Sequence, residues 1–157
     1  MKPCEVKHKG SNTLILFNYV ERHGIPLYEM LKQQEKNVFF IHGGIKAEER
    51  EEIRQALEKS SNNILLASLG TTSTGVNIVN LDNVIFAHPT KSKIRNLQSI
   101  GRVLRKNGDS PATLYDLVDD LRAGRKFTNY SLKHFEERSK QYRDEKFELK
   151  FYSVPLK

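Results

Sequence analysis

Arg102 and Arg105 close the run Gln98-Ser99-Ile100-Gly101-Arg102-Val103-Leu104-Arg105. Residues three apart on a helix lie on one face, so both guanidinium groups would project to the same side. A guanidinium is permanently charged, planar and forked, and it grips phosphate oxygens through two parallel hydrogen bonds. The chemistry such a pair suits is phosphoryl transfer, because an arginine aimed at a γ-phosphate stabilises the charge that develops there. An isolated pair of this kind is more often a basic helix face in water. Its meaning therefore depends on the elements that would carry it.

The chain has 157 residues, a net charge of +7, 38% hydrophobic and 29% charged residues. That is enough for one globular domain with a core of its own. No apolar run approaches the roughly 20 residues that span a bilayer, and the N-terminus lacks the apolar stretch of a secretory signal. No membrane partner is expected. A single cysteine, Cys4, excludes an internal disulfide and a cysteine-rich zinc site, which fits a reducing, cytoplasmic setting. The charge is unevenly placed. Residues 1–90 balance acid against base, whereas Lys91, Lys93, Arg95, Arg102, Arg105 and Lys106 follow one another with no acidic residue between them. A second basic excess lies in 122–157. Two localised basic blocks point to a polyanionic partner.

Short, continuously apolar runs at 13–17, 38–41, 64–67, 84–87 and 114–118 alternate with helical patterns. Continuous apolarity predicts strands buried on both faces, hence a parallel sheet. Pro26 suits the first turn of a helix reaching about residue 36. Residues 47–60 open on Glu48, Glu49, Glu51 and Glu52 and close on Lys59, as the helix dipole favours, with Ile53, Ala56 and Leu57 as the buried stripe. Residues 92–105 form a third helical pattern. The alternation predicts a doubly wound α/β fold with a mainly parallel sheet of about five to six strands flanked by helices. Residues 1–11 lead in, 12–121 form the main lobe, and 122–157 form a basic C-terminal extension packed on it. In that extension 122–128 reads as a loop, 130–143 as an amphipathic helix, and 147–154 as an extended segment.

Ligands of open α/β sheets bind beyond the carboxyl ends of the strands. The sequences expected there are Phe17-Asn18-Tyr19, His42-Gly43-Gly44, the small-residue stretch from Ser68 through Thr71, Thr72 and Gly75 to Asn77, and His88-Pro89-Thr90-Lys91-Ser92-Lys93. A loop of glycines and hydroxyl residues brings backbone N–H groups close to phosphates. Read singly, each is equally an ordinary turn or helix cap. Convergence on one sheet edge gives them weight together. No GxxxxGK[ST] phosphate loop occurs in these residues, and no carboxylate pair follows a strand in the manner of a magnesium site. Asp119-Asp120 read instead as the start of a loop or helix. A phosphate-seeking arginine pair without a phosphate cradle is the pattern of one half of a two-part ATPase.

At this point the residues resemble a family, the second RecA-like lobe of superfamily 2 helicases. Phe17 and its strand resemble motif IV, and Ile41-His42-Gly43-Gly44 the nucleic-acid-contacting turn after it. The segment from Ala67-Ser68 to Gly75-Val76-Asn77 resembles motif V, and Gln98 to Arg105 matches the QxxGRxxR of motif VI. Within the superfamily the chain is most similar to phage recombination helicases, which act on branched DNA. The resemblance implies that Arg105 is the arginine finger and Arg102 its neighbour at the phosphates, with Gln98, Gly75 and Asn77 at the nucleotide. It places His42, Gly43, Ser68, Thr71, Thr72, Lys91 and Lys93 at the nucleic acid. ATP with Mg2+ would be held mainly by a partner N-terminal RecA-like lobe carrying the Walker A and B motifs, the chain alone being inactive as an ATPase. DNA, branched or single-stranded, would be the other partner, and the setting cytoplasmic, that of a bacterial host if the chain is phage-encoded. Two positions depart from the family pattern. The motif V loop is one residue longer than the commonest form, and Asn77 stands where many relatives carry aspartate, so it offers hydrogen bonds without charge. The competing reading is a non-enzymatic nucleic-acid-binding or regulatory module with the same fold. A small-molecule enzyme built on His42 or His88 fits poorly, because no nucleophile–base–orienter set accompanies either.

Overall fold

The structure is a computed structural model and describes residues 10–72, 81–87, 112–120 and 129–154. These fall into two compact units, one carrying the sheet up to Leu117 and one beginning at Val118. The expected helix at 92–105, with Gln98, Arg102 and Arg105, lies outside the described residues, as do Gly75, Asn77, Lys91, Lys93 and the 122–128 loop.

Among the described residues five strands form the sheet: β1 (Thr13–Phe17), β2 (Val38–Ile41), β3 (Ile64–Ser68), β4 (Asn83–Phe86) and β5 (Thr113–Asp116). Their order is β2-β3-β1-β4-β5 and every pairing is parallel. A π-helical turn (Val20–Gly24) leads into α1 (Ile25–Gln34); α2 (Ala47–Lys59) joins β2 to β3, and a single helical turn α3 (Leu69–Thr72) follows β3. The step from β1 to β2 runs towards one edge, and the later steps run the other way. Right-handed crossovers then place α1 and α2 on opposite faces. On the α1 side Ile15, Phe17, Val38, Ile64 and Leu66 form the buried cluster, joined by Leu27, Tyr28 and Leu31 of the helix. Alternation sends Leu14, Leu16, Leu65 and Val84 to the other face, where they are buried. Leu57 is the buried residue of α2, with Ile53 and Ala56 only half-buried.

The strands begin on a buried polar network. The Asn12 N–H donates to Asp82 Oδ2 at 2.7 Å, and Asn12 Oδ1 accepts from the Asn63 N–H and Nδ2 at 3.1 and 2.9 Å. Asn12 also offers its carbonyl to the N–H groups of Asp82 and Asn83 at 3.0 and 3.1 Å. Buried polar groups carry a desolvation cost unless they are paired, so this network ties the starts of β1, β3 and β4 to one register. Their carboxyl ends, where a ligand would bind, are aligned as a consequence.

Several boundaries differ from those the sequence suggests, among them those of β4, β5 and the stretch after β3. β4 starts one residue earlier, at Asn83, because the network holds it there. β5 is Thr113–Asp116 rather than 114–118, since among the described residues it pairs with β4 alone and takes its start from Thr113 opposite Asn83; Leu117 is exposed beyond it. The stretch after Ser68 is a helical turn at its start rather than a loop. In the second unit α4 (Tyr130–Asp144) is capped by Asn129, whose side chain accepts from the Ser131 and Leu132 N–H groups. Residues 147–154 form no strand. Phe151 packs edge-on against Phe135, with ring centroids 6.0 Å apart.

Candidate nucleic-acid and nucleotide interface

Register fixes which residues share the carboxyl edge. Phe17 pairs with Ser68, Ile41 with Ala67, Leu16 with Phe86, and Phe86 with Asp116. The next row therefore runs His42, Ser68, Phe17, Ala87, Leu117. Hydrogen bonds from the Ala87 N–H to the Leu16 carbonyl and from the Leu117 N–H to the Phe86 carbonyl continue the ladder into it, at 3.0 and 3.3 Å. With strands about 4.8 Å apart, His42 lies roughly 10 Å from the end of β1 along this edge. The structure thus brings His42, Gly43, Ser68 and Thr71 to one side of the sheet, as the parallel reading requires.

His42 opens a tight turn. Its Nδ1 accepts from the Gly44 N–H at 3.1 Å and its carbonyl from the Ile45 N–H at 3.1 Å. With Nδ1 accepting, a neutral ring carries its proton on Nε2, a donor suited to a phosphate oxygen. Gly43 and Gly44 are exposed, and a Cβ on Gly43 would meet nothing within 4 Å. The Gly43 backbone is therefore open to a close-lying strand of sugar and phosphate.

Ser68 and Thr71 take a different posture. Both are buried, and their hydroxyls lie 2.7 Å apart. They fix the turn from β3 into α3, and what this turn exposes is Gly70. Thr72 ends α3. Gln98, Arg102, Arg105, Gly75, Asn77, Lys91 and Lys93 belong to segments outside the described residues.

Arg50 is a residue that sequence reasoning passed over. It sits in the first turn and a half of α2, and its Nη2 donates to the Gly43 carbonyl at 3.3 Å. Its Nε is buried without a hydrogen-bond partner. A cation near a helix N-terminus opposes the dipole, and Arg50 stands there among four glutamates. That mismatch was the available signal. Further along α2, the Arg54 guanidinium hydrogen-bonds Glu51 and holds its carboxyl down at about 2, well below the usual range. Glu58 also pairs with Arg54. Among the described residues no group of three His, Cys, Asp or Glu side chains could hold a metal ion, and no helix is long and apolar enough to cross a membrane.

The chain after β1 is shaped by one close contact. The Tyr19 carbonyl accepts from both the His23 and Gly24 N–H groups at 3.0 Å, which defines the π-helical turn. A Cβ on Gly24 would lie 2.6 Å from Phe17 Cε2 and 3.0 Å from Phe40 Cε2. The Phe17 ring stacks on Phe40, and Phe40 on Tyr28, at 5.5 and 5.1 Å. Glycine is the residue that lets the turn approach this aromatic stack.

Comparison with known proteins gives four concordant findings. Residues 3–107 match the model of the helicase conserved C-terminal domain. The chain is 35% identical to the ATP-dependent DNA helicase UvsW of Enterobacteria phage T4 over 162 residues, covering 97% of this chain and 32% of that protein. It therefore spans about a third of that relative. The crystal structure of T4 UvsW superposes with a TM-score of 0.72 at 38% identity, over 88% of this chain and 30% of that one. The C-terminal domain of the DEAD-box protein Dbp5 shares the fold, with a TM-score of 0.64 at 16% identity over 86% of this chain and 71% of that one.

Proposed function

Because this chain belongs to the helicase conserved C-terminal domain family, we propose that it is the second motor lobe of an ATP-dependent DNA helicase or translocase acting on branched DNA in recombination and repair. The observation that carries this reading is the Gln98-to-Arg105 run, which lies inside the segment matching the family. Its two arginines have the chemistry to meet the β- and γ-phosphates of a nucleotide bound mainly by a partner lobe, with Gln98, Gly75 and Asn77 at the same cleft. ATP with Mg2+ supplies the phosphoryl group and its charge neutralisation when bound. Arg105 then stabilises charge on the transferring group, and Arg102 orients the phosphates. Such an arrangement is complete only when two lobes close, so this lobe alone turns over no ATP.

The other face of the cycle is DNA. The His42-Gly43 turn, held by Arg50, and the Ser68–Thr72 segment lie along one sheet edge and are suited to backbone contacts. Lys91 and Lys93 add charge in the chain that follows β4. Backbone contacts give affinity and salt dependence with little sequence reading. ATP turnover with and without branched DNA, measured on this chain and on the polypeptide that includes the partner lobe, tests the reading. DNA-stimulated turnover only in the two-lobe protein is expected; turnover by this chain alone refutes the division of labour.

A further inference from the structure

We infer that Tyr19 is a stacking platform for a nucleobase of the bound strand, a role that rests on the reading of the sheet edge as the nucleic-acid face. Tyr19 lies two residues beyond the carboxyl end of β1, on the same edge as His42, Gly43 and Ser68. The π-helical turn it begins also touches β3. As a residue Tyr19 is 53% exposed, high for a position at the margin of a core in which Phe17 is wholly buried. The ring meets His23 in an edge-to-face arrangement, with centroids 5.4 Å apart at 65°.

Rigidity is the second part of the case. An aromatic side chain binds a base well when little conformational freedom is lost in the process. The Tyr19 carbonyl holds two backbone hydrogen bonds, His23 braces the ring, and Gly24 is wedged against Phe17 and Phe40. The backbone under Tyr19 is thus fixed by the aromatic stack of the core. π-Helical turns are uncommon and recur at functional sites. This one places a half-exposed tyrosine at the edge where the His42-Gly43 turn lies. Base stacking is tolerant of sequence, since every base has a π-face, and suits a motor that must move along any strand.

Stacking and backbone contact separate cleanly in a titration. The probes are oligothymidylate and an abasic sugar-phosphate oligomer of equal length, titrated by fluorescence anisotropy at several salt concentrations. Tyr19→Ala is expected to weaken oligothymidylate binding by about five- to a hundred-fold, the range found when a stacking aromatic is removed. The slope of log affinity against log salt, which counts phosphate contacts, stays unchanged, and so does affinity for the abasic oligomer. Tyr19→Phe retains binding. The chain has no tryptophan, so Tyr19→Trp gives a single reporter, quenched by oligothymidylate and not by the abasic oligomer. Wild-type affinity in Tyr19→Ala, or equal weakening on both oligomers, overturns the stacking role while leaving the edge reading intact. Absence of salt-dependent binding to either oligomer by the wild-type chain overturns both.

Discussion

Replacing Gly24 by alanine tests the physical basis of the turn that carries Tyr19. The backbone at Gly24 is right-handed helical, at φ −64° and ψ −55°, so conformational strain plays no part. The obstacle is space. An added methyl would sit 2.6 and 2.7 Å from Phe17 Cε2 and Cζ and 3.0 Å from Phe40 Cε2, where carbon atoms prefer about 3.5–4.0 Å. Phe17 cannot retreat, because it is fully buried and stacked on Phe40, which is stacked on Tyr28. Overpacking of this kind costs about 1–3 kcal/mol. Alanine recovers roughly 0.5–1 kcal/mol by restricting the unfolded chain, leaving a net loss of about 1 kcal/mol at the centre of the two ranges and about 2.5 kcal/mol at most. For a chain of this size each kcal/mol lowers Tm by roughly 2–4 °C. Thermal unfolding followed by circular dichroism reads the shift. Gly43→Ala, where a methyl meets open space, serves as the control and leaves Tm unchanged or slightly raised. A Gly24→Ala protein as stable as wild type would refute the close-packing argument.

Other perturbations bear on separate parts of the molecule. Asn12→Ala leaves the Asn63 N–H buried without its acceptor and removes the clasp between strand starts; a loss of about 1–3 kcal/mol in urea unfolding is expected. Arg50→Ala releases the Gly43 carbonyl and is expected to weaken single-stranded DNA binding roughly fivefold, the equivalent of one net hydrogen bond; unchanged affinity in an anisotropy titration would remove the turn from the interface. The Glu51 carboxyl titrates at about 2 in the folded chain against 4.5 ordinarily. A depressed carboxylate stabilises the fold above its unfolded pKa and ceases to do so as pH falls through the folded one. The small difference between wild type and Glu51→Gln is therefore expected to be present at neutral pH, to shrink below about pH 4.5 and vanish near pH 2. Being exposed, it is also expected to be screened by salt, which denaturation at two ionic strengths would check.

The doubly wound sheet was legible because its central strands, β1 and β3, are buried on both faces. Ile64-Leu-Leu-Ala and Thr13-Leu-Ile-Leu-Phe are continuous apolar runs with little alternation, a pattern that antiparallel or half-exposed strands do not show. The convergence of His42, Gly43, Ser68 and Thr71 followed from that topology alone. Other features depend on contacts between distant residues. Nothing in Val20-Glu-Arg-His-Gly24 signals a π-helical turn; it goes with the close approach of Gly24 to Phe17 and Phe40, which lie elsewhere in the chain. Asn12 and Asn63 stand outside every predicted element, yet each completes the other's burial across 51 positions. Ser68 and Thr71 were expected as groups offered to a ligand, yet the structure joins their hydroxyls to each other. Residue type showed that hydroxyls stood at the edge, and only geometry showed which way they were turned. β5 slid by a residue because an edge strand takes its register from its single neighbour.

The most direct test of the central claim is ATP turnover by the two-lobe protein carrying Arg105→Ala, measured beside its DNA affinity. An arginine finger contributes about 10³–10⁵ in rate. The account predicts a loss of DNA-stimulated turnover of at least roughly a thousandfold on that principle, with DNA binding little changed. Turnover at the wild-type rate would contradict it.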